Sequence, residues 1–402
     1  MKNLADHDSF VDGVPHDTFA QMRKDAPLHW TPGFVGAKGF WSLTRYADIM
    51  AAQRVPEVFS SAQGIRIEDQ SHEEYMARRT FQETDPPEHT ITRRAVNPAF
   101  AKPVVTKFEP LIRELARDIV AKGLQEHEFD AVDKIAKTLP MLMLGRILGV
   151  PDEDLDWLVT RGDALIGNTD PYFTDTVIDK VDTESYRMMP FRSPAGVQLY
   201  DYADAVLRGD KKVSEDGILN RVRGQIEGLD FKNFFCLLVA AGNDTTRYSI
   251  AMALHLLATQ DGLLQELQKG TDFETAPDEF IRLAAPTLHF RRTATQDTEM
   301  HGQTIRAGDK VLLWFVSACR DGDAFADPNR AVLSRAPNRH MAFGQGGPHV
   351  CLGMWLAKLE LRAVLQEIAT RVKTLEPVAP PTWTRSNFIC GVKTLPIRAH
   401  LK

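Results

Sequence analysis

The chain has 402 residues, 43% of them apolar and 25% charged, with 48 basic against 54 acidic side chains and a formal net charge of −6. These proportions are those of a folded globular chain and exclude a disordered, collagenous or low-complexity protein. The mild acidity also argues against a nucleic-acid partner, which needs a basic excess. The four cysteines, Cys236, Cys319, Cys351 and Cys390, are too far apart for a CxxC metal or redox motif and too few for a disulfide scaffold. A reducing, cytoplasmic setting is expected from that usage. No apolar stretch opens the N-terminus, so no signal peptide is read there. The longest apolar run, Phe234 to Gly242, is under half of a membrane span.

About the first 70 residues mix turn signals with short apolar runs such as Gly39-Phe40-Trp41-Ser42-Leu43, which predicts strands and brief helices. From Pro103 to Lys122, Phe108, Leu111, Ile112, Leu115 and Ile119 recur at helical spacing. A second helical stretch carries Leu139, Leu142, Leu144, Ile147 and Leu148 and stops at Gly149-Val150-Pro151. Residues 168–200 read as loops around short helices. The pattern from Phe231 to Leu267 is long and helical, with an expected interruption at Ala241-Gly242-Asn243. After Pro286 extended chain is expected, including Val311-Leu312-Leu313-Trp314. An amphipathic helix follows Cys351, with Leu352, Trp355, Leu356, Leu359, Ala363 and Ile368 on one face. The expected fold is mainly α with a small β lobe drawn from about 25–70, 287–317 and 375–402, in one domain spanning 1–402.

The segment Phe343-Gly344-Gln345-Gly346-Gly347-Pro348-His349-Val350-Cys351-Leu352-Gly353 places glycines and a proline before a lone cysteine, at the start of a helix. Free N–H groups at that helix start favour thiolate over thiol. Taken alone, a single cysteine is more often a small inert core residue. The other motif readings fail. His349 occupies the third glycine position of a GxGxxG loop, His72-Glu73-Glu74-Tyr75-Met76 lacks the second histidine of a zinc protease, and there is no GxSxG elbow. The loop resembles the haem-ligand loop of the cytochrome P450 family: an aromatic residue, Gly, any residue, Gly, a basic residue two before the Cys and Gly two after. It departs by one residue, with Gly347-Pro348 where most members have one. The resemblance implies Cys351 as the axial ligand of a haem b (iron protoporphyrin IX), with Phe343, Gly344, His349 and Gly353 around the cofactor.

Three further segments follow the family's order. Ala240-Ala241-Gly242-Asn243-Asp244-Thr245-Thr246 puts a glycine, a carboxylate and two hydroxyls inside buried-type helix sequence, where polar groups need partners. Thr245 can bond the carbonyl of Ala241 and locally open the helix, while Ala241 and Gly242 leave room for a flat macrocycle. The family resemblance implies that Asp244 and Thr245 deliver protons at the dioxygen-binding face. Glu279-Phe280-Ile281-Arg282 matches ExxR, implying a structural clamp on the segment before the cysteine loop with His340 as third partner. Asp85-Pro86-Pro87-Glu88-His89-Thr90-Ile91-Thr92-Arg93 resembles DPPxHxxxR; His89, Arg93, Arg292 and His349 then fall at propionate-binding positions, with Arg94 beside them facing a redox partner.

A thiolate-ligated haem favours O–O cleavage, so the resemblance implies a monooxygenase that hydroxylates a hydrophobic small molecule (terpenoid, steroid or fatty or branched lipid) with O2 as co-substrate. With no flavin or nicotinamide domain in view, electrons are expected from NAD(P)H indirectly, through a ferredoxin reductase and a ferredoxin docking near Arg93 and Arg94. A monomer with no membrane span and no nucleic-acid partner is expected. The alternatives are peroxide-driven hydroxylation or decarboxylation, whose members generally lack the acid–Thr pair, and a non-catalytic haem carrier or gas sensor, which needs no proton relay. Ile65, Ile67, Leu237, Ala240, Leu288, Phe290, Phe388 and Ile389 are the expected substrate contacts, with His289 as a polar anchor.

Overall fold

In the computed structural model, which describes residues 1–33, 37–270 and 272–402, the longest element is a helix of 32 residues, Gly228–Thr259. Its apolar residues run around the whole circumference, from Phe231, Phe234 and Phe235 to Ile250, Leu254 and Leu257, so it must be buried on all sides. It is: helices Thr138–Leu148, Leu155–Ile166, Pro194–Arg208 and Ala276–Ala284 all pack on it. The expected interruption at Ala241-Gly242-Asn243 is absent. The glycine serves packing there, since a Cβ on Gly242 would lie 2.7 Å from Leu144 Cδ1. The helical pattern breaks further on, at Gly262, whose left-handed φ of 78° separates the helix Leu263–Gln268.

The pattern read over 103–122 also divides, into Lys102–Val105, a 3-10 turn at Thr106–Phe108, and Glu109–Gly123. Pro110 suits a helix start, and in an interior it would cost a hydrogen bond and clash with the preceding turn, which accounts for the break. Ile112, Ala116 and Val120 of the last piece bury against the helix Met354–Arg371 that follows the cysteine loop.

The main sheet has five strands in the spatial order Leu28–Thr31, Phe40–Leu43, Lys310–Leu313, Phe290–Ala294 and Phe59–Ser60. Phe40–Leu43 runs parallel to Lys310–Leu313, and the other pairs are antiparallel. Strands from both ends were expected in one lobe, but the tail strand Pro396–Leu401 pairs instead between Glu128–Asp130 and Val372–Pro377. Their inward side chains, Val372, Leu375, Ile397 and Ala399, belong to the same core as the helix Glu109–Gly123, which draws the tail to the helical part. No helix among the described residues is long and apolar enough to cross a membrane.

Candidate functional site: a cavity between the central helix and the cysteine loop

Between Gly228–Thr259 and the cysteine loop lies a cavity of about 1650 Å³, counted out to its mouths. Drug-sized pockets occupy roughly 300–1,000 Å³, so this one has room for a flat cofactor and a second molecule. Cys351 forms part of one wall. Its backbone N–H donates to the carbonyl of Phe343 at 2.9 Å, closing the loop. Gly346 has φ 110°, a left-handed conformation that glycine alone adopts freely, and a Cβ there would collide with Met50. The extra residue of the loop is accommodated against the helix Tyr46–Gln53. A Cβ on Gly347 would overlap the Gln53 carbonyl, and Gln53 Nε2 donates to the Gln345 carbonyl at 2.5 Å.

The Cys351 sulfur faces the cavity while protein surrounds it otherwise. Burial pushes its thiol up, and three features oppose that: the N–H groups of Gly353 and Met354 and the charge of Arg93. The predicted helix-start donors are therefore present. They do not by themselves overcome burial.

At one edge of the cavity four basic side chains converge. Arg93 and His349 line it, and the His89 and His349 rings are 4.2 Å apart. Both ring nitrogens of His89 and Nδ1 of His349 are buried without a partner. Burial and the neighbouring arginines push His89 down to about 4 and His349 to about 2. Burial brings Arg292 down to about 10, against the pull of Asp85. Unpartnered ring nitrogens beside one buried and one half-buried guanidinium fit an anion at this edge. Ser61 was not expected: its hydroxyl lies 3.2 Å from His349 Nε2, and its N–H donates to Asp85 at 2.8 Å, tying the two histidine segments together.

On the opposite wall, Ala240, Ala241, Gly242 and Thr245 of the central helix face the cavity. The Thr245 hydroxyl donates to the Ala241 carbonyl at 2.9 Å without breaking the helix, so its lone pairs stay available from the cavity. Asp244 points elsewhere. It is 1% exposed and pairs with Arg247 at 2.6 Å, and Arg247 bonds Asp163 at 2.9 Å. Asn243 donates to Asp163 at 2.9 Å, and Lys137, 39% exposed, lies 3.6 Å from its other oxygen. Burial raises the Asp244 carboxyl well above the ordinary carboxylate range; Arg247 pulls it down and Asp163 pushes it up. A chain of ionisable groups thus runs from beside Thr245 to a half-exposed lysine. Asp163, Arg247 and Lys137 carry no motif; Arg247 lies one turn from Asp244 on the central helix, and the packing of Leu155–Ile166 and Thr138–Leu148 on that helix brings in Asp163 and Lys137.

Behind the cysteine loop, Glu279 and Arg282 are buried at 1% and 0% exposed and joined by two contacts of 2.8 Å. Arg282 also donates to the carbonyls of Cys319, Pro328 and Arg330. Burial works to raise Glu279, but Arg282, the Val332 N–H and Arg335 together hold it below its usual value. The third partner is not His340, as expected, but Arg335, at 3.0 Å, with Asn338 donating at 3.0 Å. His340 bonds Asp278 at 3.0 Å instead, beside Lys358. Adjacent positions on a helix diverge by about 100°, so Asp278 and Glu279 meet different parts of the incoming segment.

Of the expected substrate contacts, Ile65, Leu237, Ala240, Phe290, Phe388 and Ile389 line the cavity. Ile67, Leu288 and His289 do not. Ile67 and Leu288 sit in the core beneath the five-stranded sheet. His289 alternates with Phe290 in extended chain and so faces away, its ring 4.6 Å from Trp314. Thr246 and Phe191, unexpected, do line the space.

The residues fit a haem. A sulfur with a flanking cation stands in the wall, unpartnered basic groups wait at one edge for two carboxylates, and small residues face them from the opposite helix. Cys351 would hold the iron, while His89, Arg93, Arg292 and His349 would hold the propionates. The architecture is that of a thiolate-ligated haem enzyme. A family profile described as Cytochrome P450 matches residues 274–395. The chain is 34% identical to a methyl-branched lipid omega-hydroxylase of Mycobacterium tuberculosis, over 96% of this chain and 91% of the relative. It is also 34% identical to the linalool 8-monooxygenase of Pseudomonas putida, over 98% and 97%. A solved Mycobacterium marinum cytochrome P450 in complex with pseudoionone superposes with a TM-score of 0.85 at 32% identity, covering 95% of this chain and 94% of that one. This chain belongs to the cytochrome P450 family and is a monooxygenase.

Proposed function

We propose that this monooxygenase hydroxylates a terpenoid or a fatty or branched lipid, taking electrons from a ferredoxin reduced by an NAD(P)H-dependent reductase, and that it works as a cytoplasmic monomer. The observation that carries this is one apolar cavity flanked by Cys351 on one side and Thr245 on the other. The relatives named for linalool and methyl-branched lipids support the substrate class. When bound, a thiolate-ligated haem supplies O2 activation, putting one oxygen atom into a C–H bond and releasing the other as water. The residues do the rest. Leu237, Phe290, Phe388 and Ile389 hold the substrate and exclude bulk water from the reacting face. Thr245 presents its hydroxyl oxygen at that face. Asp244, its carboxyl raised by burial and held in place by Arg247 and Asp163, supplies protons toward it. The paired acid and alcohol favour O2-dependent turnover over a peroxide-driven reaction or a passive haem carrier. The direct test is a spectral screen of linalool-type terpenoids and branched acids, followed by substrate-dependent NAD(P)H consumption with ferredoxin and reductase. Binding without turnover would favour the carrier.

Thr245→Ala should leave haem content and ligand binding in place while diverting electrons to hydrogen peroxide. Positioned proton transfer contributes about 10²–10⁴-fold, so product formation should fall at least about tenfold while NAD(P)H oxidation continues. Fully coupled turnover in the variant would remove Thr245 from proton delivery.

Arg93 and Arg94 divide the tasks expected of them. Arg93 lines the cavity, whereas Arg94 is exposed on the helix Glu88–Phe100. Arg94→Glu should weaken ferredoxin-driven turnover roughly tenfold at low ionic strength, and the defect should shrink in high salt as the screening length falls to about 3 Å. Unchanged ferredoxin affinity would place the docking surface elsewhere.

A further inference from the structure

A second chamber opens from the cavity beside Cys351. Ile65, Phe191, Leu237 and Phe388 line both spaces, so the two are continuous. Their chemistry differs. The cavity is chiefly apolar, whereas the chamber walls hold three guanidiniums, Arg66, Arg78 and Arg192, with Glu68 and Glu83. Arg66 stands at the junction, its guanidinium carbon 5.1 Å from the Phe191 ring centroid and 5.3 Å from that of Phe388. Phe191 and Arg192 have φ values of 57° and 50°. Side chains of this size hold left-handed backbone only where the surroundings impose it, and such strain gathers at binding sites. Here it sets an aromatic ring in the shared wall and a cation in the chamber.

The charges do not cancel. Glu68 pairs with Arg66 at 3.2 Å, and Glu74 lies 4.0 Å from Arg78 and 3.8 Å from Arg192. Burial works to raise both carboxyls, yet both are held below their usual range: Glu68 at about 2 by Arg66 and His7, Glu74 by Ser71, Arg78 and Arg192. Both are therefore ionised. Burial raises the Glu83 carboxyl against the pull of the Thr80 N–H and Arg78. Glu184, 3.1 Å from Arg192, is 66% exposed, and solvent screens it. The chamber's own wall thus holds three guanidiniums against two carboxylates, Glu68 and Glu83, an excess of one positive charge, with Glu74 behind it beyond hydrogen-bond reach. The Nε atoms of Arg66 and Arg192 are buried without an acceptor, while the side chains remain 18% and 29% exposed and so within reach of a ligand. A guanidinium has donors only and cannot shed its charge. An acceptor-only monoanion completes the set, and a carboxylate does so in forked geometry.

We propose that this chamber is a head-group subsite and that the substrate is an amphipathic carboxylic acid, its carboxylate held between Arg66 and Arg192 and its apolar body in the cavity. The proposal rests on the cavity being the oxidation site. It deepens that reading by fixing orientation: an anchored head turns the opposite end of the molecule toward Thr245, so oxygen enters remote from the carboxyl group.

The test is spectral titration of the haem-loaded enzyme with one straight skeleton (dodecanoic acid, 1-dodecanol, methyl dodecanoate) and one branched skeleton (geranic acid, geraniol, methyl geranate). Each acid should bind about tenfold or more tighter than its methyl ester or alcohol, as a charge-assisted pair requires. The acid-to-ester affinity ratio should fall toward one in Arg66→Gln and in Arg192→Gln. Because it is a ratio measured on one protein, it is insensitive to partial loss of folded material, and Arg192, the more exposed of the two, keeps the test available should Arg66→Gln not fold. A ratio near one for both skeletons, or one unchanged in both variants, overturns the subsite. So does hydroxylation next to the carboxyl group. If esters and alcohols bind as well as acids, the subsite falls and the oxidation site stands. If no compound of either skeleton perturbs the spectrum, both fall.

Discussion

Cys351→Ala is expected to abolish the thiolate-type spectrum of the reduced carbon monoxide complex and to remove monooxygenase turnover. The reason lies in the wall that holds the sulfur. Burial raises the thiol, and the N–H groups of Gly353 and Met354 with Arg93 only offset it, so these donors are arranged for a sulfur made anionic by a metal. Alanine keeps the loop geometry, because the Cys351 N–H that closes the turn onto Phe343 is a backbone group. Residues that merely orient a metal ligand are worth about 10–100-fold, so loss of the ligand itself should exceed about 1,000-fold in turnover. Haem could still be retained through the basic edge, giving a coloured but inactive protein. A normal thiolate spectrum in the variant would overturn the ligand assignment.

Arg282→Ala is expected to have the largest effect on stability while leaving the chemistry of any folded molecules intact. It would strand the buried Glu279 carboxylate and three carbonyls, of Cys319, Pro328 and Arg330. Removing one partner of a buried ion pair costs about 3–5 kcal/mol, against a total stability of about 5–15 kcal/mol for an ordinary domain. Most of the protein should fail to accumulate with haem. Arg282→Lys should fail nearly as badly, because an ammonium cannot serve the carboxylate and three separate carbonyls together. The measurement is haem content and thermal midpoint of the recovered protein. Wild-type stability with impaired turnover would move this pair from folding to catalysis.

The ion pair also shows where reading a sequence stops. As an isolated ExxR it is worth little, since pairs one turn apart are common and a surface pair contributes about 0.3–0.5 kcal/mol. Its burial comes from a segment 37 to 59 residues later folding over it. The assignment of His340 failed for the same reason. Type and spacing were right for a third partner, but Arg335 reaches Glu279 while His340 meets Asp278. Asp244 carried a similar ambiguity. Its place beside Thr245 was legible, but its direction was not, and it turns into a network completed by Asp163 from another helix. Ile67, Leu288 and His289 were misplaced because apolar character cannot separate a cavity wall from the core behind it.

The sequence by itself determined the chemistry of the wall: a lone cysteine at a helix start, a Gly-rich turn, an acid–alcohol pair in buried helix, and basic residues in family order. Those are matters of residue type and short spacing, which covalent geometry and one turn of helix are enough to set. Only the tertiary structure decided which charges are buried together, which cations remain uncompensated, and that Arg66, Arg78 and Arg192 border one chamber. Burial and electrostatic coupling depend on segments distant along the chain coming within a few ångströms, and local pattern carries no record of that distance.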